Sequence, residues 1–122
     1  MAYENPILGV SLEAETDMSD KHYHAVKVSS PFKCDIAEDA TKAIGVVVTN
    51  PRKGMAANVA YAGTVKIAVK SAATVTAGKG VAITNGQASG AGDFGVALET
   101  VTGPGLATLL LGVAHPAAQV GP

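Results

Sequence analysis

The chain has 122 residues, which is enough for one domain and leaves little for a second. Nine basic and ten acidic residues give a formal net charge of −1, with Arg52 as the only arginine, so no basic face for nucleic acid is expected. Apolar residues make up 48% and aromatic residues 4%, which argues against global disorder and predicts an aliphatic core.

The first 20 residues differ from the rest of the chain. A short segment that mixes Asn5 and Pro6 with Ile7 and Leu8 is followed by an acidic run from Glu13 to Asp20. Such a segment is a poor core element, so we predict an arm over residues 1–20 that becomes ordered on meeting a partner. The alternative is an edge strand folded onto its own domain. A β domain is predicted over 21–115 and a C-terminal tail over 116–122.

Apolar residues alternate along much of the β domain, with the period of two that is typical of half-buried strands. In the clearest segment, Thr64–Lys70, the residues Val65, Ile67 and Val69 fall on one face. Val59 and Tyr61 are likewise predicted to share a face. Further predicted strands are Val26–Val28, Ile44–Val48, Val81–Thr84 and Gly95–Glu99.

The segment Leu106–Val113 is apolar on both faces, since Leu109 and Leu111 point one way and Leu110 the other. A strand of this kind is either central and covered twice or part of an interface. Leu110 is therefore our candidate for an oligomer interface.

Turn signals separate these strands. Asn85–Gly86 predicts a type I′ hairpin, and Asn50–Gly54 combines a proline and a glycine in turn positions. Many short strands at this spacing indicate a small barrel or sandwich with little helix. Asp35–Glu38 has capping-box spacing and allows one or two helical turns over 37–43; the alternative is a strand end followed by a polar loop.

Residues that carry chemistry form no recognisable constellation. His22 and His24 lie two apart but lack further ligands at metal-site spacing, so a surface or edge pair is favoured. Gly78–Gly80 fails the phosphate-loop pattern. Cys34, the only cysteine, is interpreted as a small buried hydrophobe. We expect neither an enzyme nor a cofactor or metal, and no membrane partner, since no apolar stretch is long enough to span a bilayer.

The order of the turn-bounded segments resembles the capsid decoration, or cement, proteins of tailed bacteriophages. The segments that carry the resemblance are Tyr3–Gly9, Ile44–Val47, Asn50–Gly54, Ala57–Gly63, Val65–Ile67, Val75–Val81, Asn85–Ala88 and Gly95–Glu99.

The resemblance implies an all-β, small barrel-like or β-tulip domain with an extended N-terminal arm. It implies a virion protein, made in the host cytoplasm, that binds the major capsid protein on the outer capsid surface as a homotrimer and stabilises the shell. Asn5, Pro6, Ile7 and Leu8 are the candidate capsid contacts, because an extended segment can add a strand to a partner's sheet. The alternative function is a small β-barrel interaction module that binds a peptide or a carbohydrate, although few aromatic residues are available for sugar stacking.

Overall fold

Five strands close into a barrel, and the last of them continues into a second sheet region. The computed structural model describes residues 5–111, with side chains from Gly9 onward, and no α-helix is present in that range. The strands are β1 (Asn5–Ala14), β2 (Ala25–Ser30), β3 (Lys33–Ile36), β4 (Gly45–Val47), β5 (Ala56–Val69), β6 (Thr74–Val75), β7 (Val81–Thr84), β8 (Gln87–Ala91), β9 (Val96–Ala97), β10 (Val101–Thr102) and β11 (Gly105–Leu111).

The barrel has the strand order β1-β3-β2-β4-β5, and pairing of β5 with β1 closes it. β1 runs parallel to β3 through two residue pairs, Glu13 with Lys33 and Ala14 with Cys34. Every other pairing in the barrel wall is antiparallel. The prediction of an all-β, barrel-like domain with little helix is confirmed.

β5 is 14 residues long and leaves the barrel at its C-terminal half. There it pairs with β11, which also pairs with β9, while the β7–β8 hairpin joins β5 through Val69 and Ala88. β6 and β10 form a separate two-stranded sheet. We call the segment from Thr64 to Leu111 the β11 region.

Three barrel strands separate two cores, because each has two adjacent buried residues that face opposite cores. These pairs are Ala25 and Val26 of β2, Val46 and Val47 of β4, and Val59 and Ala60 of β5. The barrel core consists of Ala14, Met18, Val26, Cys34, Val47, Ala57 and Val59. The larger core beneath the β11 region includes Ala25, Val46, Ala60, Val65, Ile67, Val69, Phe94, Leu109 and Leu111.

The alternation predicted for β5 is confirmed at Val65, Ile67 and Val69, which are all buried. The prediction that Val59 and Tyr61 share a face is wrong: Val59 is buried and Tyr61 is 41% exposed. β5 passes from one core to the other at this point, and the β1 register shifts so that Gly9 pairs with Ala60 and Leu8 with Ala62. Tyr61 therefore has no Cα partner on β1 and projects outward.

The predicted arm overlaps the barrel wall. β1 begins at Asn5, its residues from Gly9 to Glu13 pair with β5, Ala14 pairs with Cys34 of β3, and Met18 is fully buried in the barrel core. The edge-strand alternative therefore describes Gly9–Ala14. Residues 1–4 and 112–122 lie outside the described range, so the boundaries at 1–20, 21–115 and 116–122 stay predictions.

The predicted Asn85–Gly86 hairpin is confirmed, with φ of 48° and 81° at its two central residues, as a type I′ turn requires. The optional helix over 37–43 does not form. Asp39 instead accepts hydrogen bonds from the backbone N and Oγ1 of Thr41, which stabilises a turn.

Candidate interaction surfaces

Irregular segments cover one end of the barrel, and the β2–β3 turn lies at the other end. Because β2 runs antiparallel to β4, the loop after β4, residues 49–55, and the β2–β3 turn, residues 31–32, leave the barrel wall at opposite ends. Residues 15–20, which follow β1, meet residues 49–55 at the end that we call the free end. The Met18 N donates a hydrogen bond to the Pro51 O at 2.9 Å, and the Gly54 N donates to the Ala14 O at 2.9 Å. These bonds hold the free end together while the Met18 side chain fills the barrel core below it.

The β2–β3 turn, at the opposite end of the barrel, contains a strained aromatic residue. Only Pro31 and Phe32 separate the two strands, and Phe32 has a φ of 60°. Proline followed by a positive φ is the pattern of a type II turn, in which the second position favours glycine or asparagine. A bulky L-residue there costs about 1–2 kcal/mol.

The Phe32 side chain gains no compensating burial, since it is 84% exposed. Val28, two residues before β2 ends, is 53% exposed. Met55, across β1 and at the free end, is 56% exposed: the Phe32 O accepts from the Glu13 N and the Met55 O accepts from the Ala14 N, both at 2.9 Å. We call Val28 and Phe32, on the β2–β3 hairpin, the apolar tip.

The turn that carries Phe32 is tied to β1 by a carboxylate. Glu15 Oε1 accepts hydrogen bonds from Ser30 Oγ at 2.6 Å and Ser29 Oγ at 2.9 Å. These two hydroxyls hold the pKa of Glu15 below its ordinary value, with Lys33 and Lys53 adding to the effect. The Lys33 Nζ lies 4.0 Å from Glu15 and 3.8 Å from Glu13. The turn is therefore held in place before any partner arrives.

Acidic and basic groups of the free end lie beside one another. The pKa of Asp17 is lowered mainly by the Ser19 N–H, which donates to its Oδ1 at 3.0 Å, and also by the nearby Arg52. Lys33, next to Phe32 on the β2–β3 turn, lies beside Glu13 and Glu15 in the same way, so the charges around the apolar tip are paired.

A second apolar surface lies on the β11 region and contains the predicted interface residue. Leu110 is half-buried and pairs with Thr64 of β5 and Val96 of β9. Leu98 and Leu106, on the same face of the sheet, are 48% and 40% exposed. We call Leu98, Leu106 and Leu110 the leucine face.

β11 is a central strand, because it pairs with both β5 and β9. A central strand was one of the two alternatives predicted for Leu106–Val113. Thr108 lies between the leucines and is buried, with its N and Oγ1 both donating to Glu99 Oε2. These bonds hold the pKa of Glu99 below its ordinary value.

The predicted capsid-contact residues Asn5, Pro6, Ile7 and Leu8 form the start of β1, where the backbone of Asn5 pairs with Thr64. Their side chains lie outside the described part of the chain. Among the described strands, β1 meets β3 only at Glu13 and Ala14, so its edge facing away from β5 is otherwise without a strand partner. Such an edge can pair with another chain. A groove beside it is lined by Gly9, Val10, Ser11, Val48, Asn58, Val59 and Ala60.

The histidines and the cysteine hold structural positions. His22 Nε2 lies 2.9 Å from the Val48 O, and His24 Nδ1 lies 3.2 Å from the His22 O, in a turn rather than a strand. Burial lowers the pKa of His24. Cys34 is fully buried, as predicted, and burial raises the pKa of its thiol to about 11. Between residues 5 and 111, no three His, Cys, Asp or Glu side chains cluster closely enough to hold a metal ion.

The comparisons with known proteins give a likeness of fold. No family model matches the sequence. The search of curated proteins found no match either. The structure is similar to the crystal structure of the N base of head fiber gp8.5 from bacteriophage phi29, with a TM-score of 0.65. The alignment covers 85% of this chain and 92% of that chain at 17% identity, which shows a shared fold. Membership in the decoration family stays a prediction.

Sequence reasoning missed the apolar tip. Phe32 follows a proline between two short strands, and this pattern alone indicates a turn in which a phenylalanine occupies a position that favours glycine. The strained turn at Phe32 could therefore have been predicted from the sequence. The hydroxyls of Ser29 and Ser30 could not be connected to Glu15, because the contact depends on how β1 meets β3.

Proposed function

We propose that this chain is a structural protein of a bacteriophage virion that binds the outer surface of the capsid and stabilises the shell. The observation that carries the proposal is the fold shared, over most of both chains, with the base of the phi29 head fiber. The resemblance of the turn-bounded segments to capsid decoration proteins supports the same function independently.

The architecture suits a protein that acts by binding. Its barrel presents an apolar tip and an unpaired edge of β1, and its β11 region presents the leucine face. Many modest contacts repeated over a symmetric shell give high avidity without a large individual interface. The formal net charge of −1 limits repulsion between copies crowded on one surface.

Two finer parts of the proposal concern the partner and the assembly state. The partner is the major capsid protein, reached in part by Asn5–Leu8 through strand addition. The chain itself forms a homotrimer in which Leu110 and the rest of the leucine face contact a neighbouring copy. Light scattering that finds only monomers, both in solution and after release from shells, would contradict the trimer.

Co-sedimentation tests the central proposal. Shells are prepared from the phage that encodes this chain with its gene deleted, and purified protein is added over a range of concentrations. We expect saturable pelleting with the shells and greater resistance of decorated shells to heat. Absence of the protein from the pellet at saturating concentration would show that the proposal is wrong.

The contact of Asn5–Leu8 needs a test that spares the barrel. Deleting residues 2–10 would remove the β1 residues that pair with Val59–Thr64. Paired substitutions Ile7→Ser and Leu8→Ser retain the backbone. Unchanged shell binding by this variant would remove the segment from the mechanism.

A further inference from the structure

We infer that the apolar tip on the β2–β3 turn is the surface that faces the shell, with Phe32 inserting into an apolar pocket of a shell subunit. The inference rests on the proposed function and names the contact that would carry it out. Its starting point is the combination of strain and exposure at a single residue, since Phe32 has a φ of 60° and an 84% exposed side chain.

Nothing in the fold explains a phenylalanine at this position. Glycine would adopt the same φ without a steric penalty, and the exposed ring adds little to either core. Strained backbone of this kind persists where the surrounding structure enforces it and is concentrated at ligand-binding positions. The hydrogen bonds from Ser29 and Ser30 to Glu15, and from the Glu13 N to the Phe32 O, enforce it here.

The surroundings of the ring select the kind of partner. Lys33 lies beside two carboxylates, so the tip has no surplus of positive charge for a phosphate backbone or an anionic membrane. Val28, on the same hairpin, extends the apolar surface. An aromatic ring on a rigid support, with paired charges around it, fits an apolar protein pocket with a polar rim.

Phe32→Gly tests the inference, with the gene-deleted shells as the probe. The variant is expected to fold with at least wild-type stability, since the substitution relieves the strain at φ 60°. We expect shell binding about thirtyfold weaker, the loss typical of removing an interface anchor. Phe32→Asn, which also tolerates a positive φ, should lose binding to a similar degree. Tyr61→Ala is the matched control, because it removes an exposed aromatic ring that belongs to none of the proposed contacts and should leave shell binding within about twofold.

The outcomes separate the inference from the proposed function. If wild-type protein does not pellet with shells, both are overturned. If wild-type and Phe32→Gly proteins pellet equally well, the inference alone is overturned. If Phe32→Gly changes the mass of the free protein in solution but not its shell binding, the tip contacts a second copy and the inference is again overturned. Selective loss of shell binding in Phe32→Gly and Phe32→Asn, with Tyr61→Ala unaffected, supports the inference.

Discussion

The barrel and the β11 region share β5 but differ in how they are stabilised. Among residues 9–111, the larger core has fifteen buried residues and includes the inward face of β11, whereas the barrel core has seven and is completed by Met18 from an irregular segment. The strained, exposed Phe32 lies on the barrel side. The difference indicates that the β11 region supplies most of the apolar burial, while the barrel carries a feature that weakens the fold and suits binding.

The largest expected effect tests this division directly. Ile67→Ala should lower the free energy of unfolding by about 2–5 kcal/mol, toward the upper end, because Ile67 is fully buried on a strand fixed by β11. For Met18→Ala, the loss in the free energy of unfolding should lie toward the lower end of this range, since the irregular segment around Met18 can relax into the space. Urea unfolding of both variants provides the measurement. A greater loss for Met18→Ala would reverse the assignment of the dominant core.

A glycine at the junction of the two regions should give the next largest effect. A Cβ on Gly45 would lie 2.9 Å from Val59 Cγ1 and closer still to the Ala60 carbonyl oxygen. Because that oxygen belongs to the backbone of β5, Gly45→Ala should cost about 1–3 kcal/mol. Gly105→Ala is the control, as the nearest atom to its Cβ is 4.0 Å away. Equal thermal midpoints for the two variants would contradict the close packing of Gly45 against the backbone of β5.

Glycine substitutions at residues with a positive φ should have a smaller effect, and they should stabilise the fold. Phe32→Gly on the barrel and Ala72→Gly in the β11 region, where φ is 65°, should each raise the free energy of unfolding by up to about 1 kcal/mol. The gain is limited because glycine has more freedom to lose on folding. Differential scanning calorimetry can measure both. A clear loss of stability in Phe32→Gly alone would mean that the ring packs on the fold.

The smallest effect concerns pH. The pKa of Glu15 is lowered in the fold, so its contribution to stability is present above the ordinary value of 4.5 and is lost as pH falls through the folded-state pKa. Glu15→Gln should remove this part of the acid dependence. Glu99→Gln is the counterpart in the β11 region, where Thr108 lowers the pKa in the same way. Urea midpoints measured between pH 7 and pH 3 should fall less steeply in each variant than in the wild type; unchanged slopes would contradict the assigned hydrogen bonds.

Features encoded in neighbouring residues could be predicted from the sequence. The alternation of Val65, Ile67 and Val69 and the Asn85–Gly86 turn depend on local geometry alone. Barrel closure depends on two residue pairs between β1 and β3, which no local pattern reveals. The side chain of Tyr61 was predicted on the wrong face because β5 passes from the barrel core to the larger core beside it. The burial of Met18 could not be predicted, because its neighbours in the sequence are acidic.

The length of β5 has a mechanical consequence. At about 3.3 Å per residue, its 14 residues form one continuous strand of roughly 46 Å that connects the barrel to the β11 region. A pull directed along this strand loads its hydrogen bonds to β1 and β11 together, in shear, instead of opening them one at a time. For a molecule fixed at its barrel end, force applied at the far end would thus be shared across many bonds before any of them breaks.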